Sequence, residues 1–335
     1  LALAKARNLA LTSDLIQHSQ LRFVAGVFNC HRARKRRADL ALAGGEQVSN
    51  IAIITDSTAD IPQECRERYD IQVLPQILIW DGVTYLDGVD IQSSEFYPRL
   101  MHSDSIPTSS QVTVGMFKEA YEPHVAAGTP VLAILISSEL SGTVESALLA
   151  REFFPGGAIE VVDSRSTSMG LGFQVLAAAR AVAAGRSFGE VVEIAEQAHN
   201  DVGILFVVDT LEYLHKGGRI GGATRLLGTA LSMKPVLELL EGRVEPIEKV
   251  RTKSKAKARV LELLSERING AEPFSLAAVH ADAEEEAEQL LATMAERCNP
   301  LETYVTLVGP VLGTHAGPGT VGLAFYKGPF QSNSH

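Results

Sequence analysis

The chain has 335 residues, 46% of them apolar and 21% charged, enough for one large or two medium domains with a substantial core. Its net charge of −10 argues against general nucleic-acid binding, and no apolar run reaches the roughly 18 residues needed for stable membrane insertion. The three cysteines, Cys30, Cys65 and Cys298, are odd in number and far apart, with no CxxC or Cys/His metal spacing. A reduced, cytoplasmic chain without a metal site is therefore expected.

Charge is unevenly spread. Residues 1–48 carry eight basic and three acidic residues, a balance of +5 that leaves −15 for the remainder. The block His31 to Arg37, HRARKRR, permits a targeting presequence or a nucleic-acid arm, and the segment starts without Met. The expectation is a poorly ordered basic extension over 1–49, such as a misassigned start would also leave. An α/β domain over 50–202, an α+β domain over 203–328 and a tail over 329–335 are expected to follow.

The folded part opens with a strand at Ile51–Ile54. The hydroxyl-rich turn Thr55-Asp56-Ser57-Thr58-Ala59-Asp60-Ile61-Pro62 follows, in which Asp60 can cap a helix whose first residues include Pro62. Ile71–Trp80 and Val83–Leu86 read as strands around the hairpin signal Asp81-Gly82. Ser93–Met101 reads as a short helix. Thr108, Ser109 and Ser110 then form a hydroxyl cluster at the expected start of the helix VGMFKEAYEPHV.

Val131–Ile136 is a continuous apolar run, as in a strand buried on both faces. It ends in Ser137–Thr143, SSELSGT, and a helix with Val144, Leu148, Leu149 and Phe153 on its apolar face is expected next. A turn of hydroxyls and free N–H groups at a helix start suits a carboxylate or phosphate oxygen. Ala158–Val162 reads as a strand, Ser166–Ala184 as an Ala-rich helix, and Ser187 with Glu190 as a capping box. This alternation predicts a mainly parallel sheet, with ligands at the carboxyl ends of its strands.

The second half has another rhythm. Gly203–Val208 is a strand, and Val236–Leu240 with Val244–Val250 an antiparallel hairpin. Lys253–Ile268 is a helix with Val260, Leu263, Leu264 and Ile268 inward. Phe274–Val279 is a strand, Asp282 is expected to cap an acidic-first helix, and Tyr304–Val308 and Val321–Tyr326 are the last strands. These elements predict a mixed or antiparallel sheet.

Two constellations stand out. His315 lies in the Gly-rich loop Gly313–Gly319, where an imidazole could hydrogen-bond a carboxylate at close quarters. His215, Lys216, Arg219 and Arg225 surround Gly217-Gly218, a basic turn that could meet an acidic group. Gly317–Gly322, GPGTVG, matches GxGxxG, but too little chain follows it for a dinucleotide-binding unit. No Walker A, GxSxG or HExxH pattern occurs, and the SxxK match at Ser254–Lys257 is a chance one.

Five motifs occur in one order: Thr55–Pro62, Pro107–Gln111, Ser137–Thr143, Leu211–Ile220 and His315–Gly319. Together they resemble the DegV family of bacterial fatty-acid-binding proteins over about Ile51 to Lys327. His215, Val112 and Val144 stand where that family often has Lys, Pro and Tyr. The resemblance implies a two-domain α/β protein that holds a long-chain fatty acid in a tunnel between its domains, with no cofactor. It implies that Thr108 or Ser109, together with Ser141, hydrogen-bonds the carboxylate, that Gly142 allows close approach, and that His315 sits beside it. It further implies a non-catalytic subunit presenting the fatty acid to a separate ATP-dependent kinase subunit, which Arg219 would meet. The acyl phosphate formed would feed phospholipid synthesis.

The chemistry is compatible. Burying a tail gains roughly 0.8 kcal/mol per CH₂, so the head group needs only a few well-placed donors. A carboxylate buried without donors would be protonated or excluded. Two other readings remain open at this point: an acyl hydrolase using Ser141 or Ser109 with His315, and a lipid-sensing regulator.

Overall fold

A computed structural model describes residues 50–227, 233–270 and 273–328. The basic extension at 1–49 and the tail at 329–335 lie outside the described residues.

The first sheet is built from the most apolar short runs. β1 (Ala52–Asp56) and β6 (Val131–Leu135) are buried at every position and pair in parallel, Ile53 opposite Leu132. β2 (Gln72–Leu74) and β7 (Ile159–Asp163) flank them, giving an all-parallel sheet in the order β2-β1-β6-β7. Parallel strands are covered on both faces, which is why β1 and β6 read as unbroken apolar runs.

A second, six-stranded sheet runs β10-β9-β8-β13-β11-β12. Its strands are β8 (Val202–Val207), β9 (Lys234–Leu240), β10 (Arg243–Val250), β11 (Ser275–His280), β12 (Glu302–Leu307) and β13 (Val321–Tyr326). Only β11 and β12 pair in parallel, so the sheet is mixed, as the sequence predicts.

One helix joins the two sheets. Ser168–Ala183 packs Leu171, Phe173 and Val175 into a core shared with Ile53, Leu132 and Ile134 of the first sheet and Ile204, Val279 and Ala324 of the second. It is buried almost all round, which matches its near-continuous apolar composition. On the far side of the second sheet, helices Lys253–Ile268 and Glu284–Cys298 bury Val260, Leu264, Leu290 and Met294 against Leu205, Leu276 and Leu323. The capping box of Ser187 and Glu190 is present at the start of helix Phe188–Ala198.

A small antiparallel sheet, β4-β3-β5, completes the fold. The expected strand Ile71–Trp80 is two strands, because Pro75 interrupts it. β2 joins the parallel sheet, while β3 (Ile77–Trp80) turns back through Asp81-Gly82 to β4 (Val83–Leu86). Asp81 and Gly82 both have positive φ, 51° and 78°, as a tight two-residue hairpin needs.

Four local expectations are corrected. The Thr108–Ser110 cluster does not start a helix; it is β5, paired with β3 through Ser109 and Leu78. The following helix, Val114–Ala126, is capped by Thr113, whose Oγ1 accepts from Met116 N–H at 3.2 Å. Asp60 does not cap helix Gln63–Tyr69, whose N-cap position is Pro62. It takes the left-handed conformation after a short 3-10 turn, Ser57–Ala59, and its carboxylate turns to other partners. Nor does Asp282 cap helix Glu284–Cys298: the N-cap position is Ala283, whose N–H donates to His280 Nδ1 at 3.3 Å.

The fourth correction concerns helix Thr143–Arg151. Its expected apolar face is exposed, with Leu148 at 36%, Leu149 at 44% and Phe153 beyond its end at 59%. The buried residues are Thr143, Ser146, Ala147 and Ala150. Small side chains let this helix lie close against its neighbours, so bulk and burial run opposite to each other here.

Candidate functional site

The carboxyl ends of β1 and β6 are neighbours, and Asp56 fastens them. Its Oδ2 accepts from Ile136 N–H at 2.8 Å, just past β6. Its Oδ1 accepts from Thr58 N–H at 3.1 Å, Thr58 Oγ1 at 2.6 Å and Gln76 Nε2 at 3.1 Å. Burial pushes the Asp56 carboxyl up from its ordinary value, and these donors pull it back.

Gln76 carries the network outward. Its Nε2 also donates to Thr143 Oγ1 at 3.0 Å, and Thr143 Oγ1 lies 2.9 Å from Ser141 Oγ. Ser141 is thus held from behind by a hydroxyl that is itself held by a buried amide. Sequence reading placed Thr143 in the hydroxyl turn but missed Gln76, the side chain that holds it. The available signal was Pro75, which breaks an apolar run and sets a polar side chain where the chain changes sheet.

The opposite wall comes from the second half of the chain. His315 lies on the last turn of the short helix Pro310–Ala316, in place of the expected loop. Its Nε2 is 2.7 Å from Ser109 Oγ; either tautomer satisfies the pair. Burial first, and the Arg219 charge second, push the imidazole down to about 4. The ring is therefore neutral at physiological pH. Its Nδ1 is buried with no hydrogen-bond partner among the described residues.

Close approach explains one of the glycines beside the site. A Cβ on Gly217 would lie 2.1 Å from His315 Nδ1, so only glycine fits beside that ring. A Cβ on Gly142 would lie 2.8 Å from Gln111 Nε2, the end of an exposed, flexible side chain that can move aside, and its φ of −74° demands no glycine.

Arg219 bridges the two walls. Its Nε donates to Leu140 O at 3.0 Å and its Nη1 to Gly217 O at 2.8 Å. The other cations of the basic turn have partners of their own: Lys216 pairs with Glu212 at 2.6 Å, and Arg225 donates to Pro246 O at 3.0 Å.

Gln76 and several of these groups line a cavity with an atom-free volume of about 1000 Å³, the open solvent at its mouth included. Ser109, Ser141, Arg219 and His315 all line it. The rest of its wall is largely apolar, with Ile136, Ile204, Phe206, Leu239, Val279 and Leu312. Thr108 is placed differently: it is exposed on β5 opposite Ile79 and does not line the cavity. Gly142 is half-buried next to Ser141, behind the lining.

The chain and its fold are shared with known proteins. The family model described as "Uncharacterised protein, DegV family" matches residues 50–328. A DegV domain-containing protein of Streptomyces coelicolor is 38% identical over 276 residues, 82% of this chain and 97% of that one. A structure from Thermus thermophilus, reported as a fatty-acid-binding DegV family protein, is 35% identical with a TM-score of 0.79. It covers 83% of this chain and 99% of its own. The structure of DegV from Bacillus subtilis, described as a fatty acid binding protein, is 33% identical with a TM-score of 0.77, over 84% and 100% of the two chains.

Proposed function

Since the chain belongs to the DegV family, we propose that it binds a long-chain fatty acid in this cavity, tail among the apolar side chains and carboxylate at the hydroxyl end. The observation that carries the reading is the coincidence, in one cavity, of a long apolar wall with Ser109, Ser141 and a neutral His315. Ten buried methylenes would contribute roughly 8 kcal/mol, so the tail supplies most of the affinity. The hydroxyls and imidazole then need only satisfy the head group without a strong ion pair. A carboxylate held this way keeps its nucleophilicity.

The finer role is the one that the family resemblance implies, and the site's chemistry is compatible with it. The protein is a non-catalytic carrier, and a separate kinase subunit supplies ATP. A carboxylate oxygen attacks the γ-phosphorus, the bond from that phosphorus to the ADP oxygen breaks, and an acyl phosphate forms for phospholipid synthesis. Arg219, which lines the cavity, would meet that subunit. The test is acyl phosphate formation from ATP, kinase subunit and loaded protein. Formation that requires all three supports the reading; loaded protein that yields none with the kinase subunit of its own host contradicts it.

The Ser109–His315 hydrogen bond favours one other reading, hydrolysis of an acyl ester with Ser109 as nucleophile. Such a site needs a base near neutral pKa and a group that orients it. His315 is pushed down to about 4 and its Nδ1 has no partner among the described residues. Ester turnover lost in Ser109→Ala would nonetheless establish it.

A further inference from the structure

The helix that carries His315 is held at its other end by two carboxylates, that of the buried Asp87 and that of the half-buried Asp60. Asp60, after β1, accepts from Gly309 N–H at 3.1 Å and from Ser168 Oγ at 2.6 Å. Asp87, after β4, accepts from Val311 N–H at 3.4 Å and from Ser57 Oγ at 2.6 Å. They reach the helix from two different elements and converge on one place. A Cβ built on Gly309 would lie 3.4 Å from both Asp87 oxygens and 3.6 Å from Asp60 Oδ1. Helix Pro310–Ala316 has seven residues, too few to be stable by itself, so its place is set by its surroundings: the packing of Val311 against Phe96 and Tyr97, and the hydrogen bonds at its start. At the far end, two residues ahead of Gly317, stands the imidazole that meets Ser109.

We propose that Asp60 and Asp87 are positioning residues that fix the start of this helix and thereby fix where His315 meets Ser109. The consequence for ligand binding rests on the fatty-acid reading above; the positioning itself belongs to the chain alone.

The pair also explains why carboxylates stand there. An ionised carboxylate is a stronger acceptor for backbone N–H than a neutral one, so its protonation state is transmitted to the helix start. Burial pushes Asp60 up to about 7 and Asp87 up to about 6, with Asp56 raising both and Asp87 raising Asp60. The other titratable groups at this cleft are Tyr97, which burial holds protonated, and Arg66. Around His315 they are Arg219 and Tyr213, with His215 and Lys216 on the same short helix as Tyr213. The Asp pair therefore exchanges its protons in a range where His315 itself stays neutral.

The experiment is a titration of the His315 ring by nitrogen-15 NMR in the full chain, over about pH 5 to 8. A His215→Gln background removes the exposed neighbouring imidazole, and His315→Gln assigns the signal. The His315 ring signal is expected to shift with an inflection between the values of Asp87 and Asp60, about 6 and about 7. Asp60→Asn and Asp87→Asn should each abolish or displace it. Asn keeps the size and an acceptor oxygen, and at Asp60 it tolerates the positive φ of 47°. A flat profile in the parent, or an inflection unchanged in both variants, overturns the proposal. If a variant fails to fold, the parent profile still decides. A protein that binds no fatty acid would overturn the ligand reading and leave this titration standing.

Discussion

Ser109 Oγ and His315 Nε2 lie 2.7 Å apart although 206 positions separate them in the chain. One stands on a three-residue strand, the other at the end of a seven-residue helix, and neither element is long enough to hold itself in place. Each is placed by what surrounds it: β5 by β3, the helix by the packing of Val311 and by the hydrogen bonds to Asp60 and Asp87 at its start.

If this pair meets the carboxylate, His315→Gln and Ser109→Ala should each weaken fatty-acid binding by about tenfold, the value of one hydrogen bond to a charged group. The double variant should lose less than the sum, because the two side chains share one bond. Calorimetric titration of delipidated protein measures this. Equal effects for long and short chains would place the loss at the head group.

Gly217 and Gly218 should behave differently. Gly218→Ala meets nothing within 4 Å but takes a positive φ of 71°, so about 1 kcal/mol of stability goes with little change in binding. Gly217→Ala pushes on His315 Nδ1 and should impair binding itself. Urea unfolding and ligand titration of both variants separate the two effects. Binding impaired equally in both would contradict the packing argument.

The pH dependence of stability has two opposed contributions. The value of Asp60 is raised from 3.8 to about 7, so its contribution is complete below 3.8 and is lost as pH rises through about 7. His315 is lowered from 6.5 to about 4, so its contribution is complete above 6.5 and is lost as pH falls through about 4. The stability of the parent relative to Asp60→Asn should therefore fall with rising pH, by at most about 1.4 kcal/mol per unit. Relative to His315→Gln it should rise over the same interval. Urea unfolding across that range reads both slopes, and a slope of the wrong sign for either residue would refute its assignment.

On helix Thr143–Arg151, Leu149→Glu should change stability by under about 0.5 kcal/mol, as at an ordinary surface site. Ala147→Leu should cost about 1–3 kcal/mol by overpacking. Thermal or urea unfolding distinguishes these from the reverse order that the sequence pattern alone would suggest.

Much of this fold was legible from local pattern. The apolar runs at β1 and β6, the Asp81-Gly82 hairpin and the Ser187–Glu190 box carry their geometry in a few consecutive residues. Where expectation failed, a distant partner had taken over a local signal. Asp60 looks like a helix cap but bonds Ser168 and Gly309, more than 100 residues away. Leu148, Leu149 and Phe153 look like a core face, but a close-packed neighbour prefers alanine and serine. The site was legible in part. Ser109, Ser141, Arg219 and His315 all line the cavity, whereas the Asp56–Gln76–Thr143 relay depends on strand adjacency that no motif records.

The central claim is that the cavity holds a long-chain fatty acid. Mass spectrometry of lipid extracted from the denatured, purified full chain tests it most directly, with the delipidated protein reloaded in parallel. The account predicts one long-chain fatty acid per chain, recovered on reloading and reduced in His315→Gln. Correctly folded protein that carries no fatty acid and takes up none would contradict it.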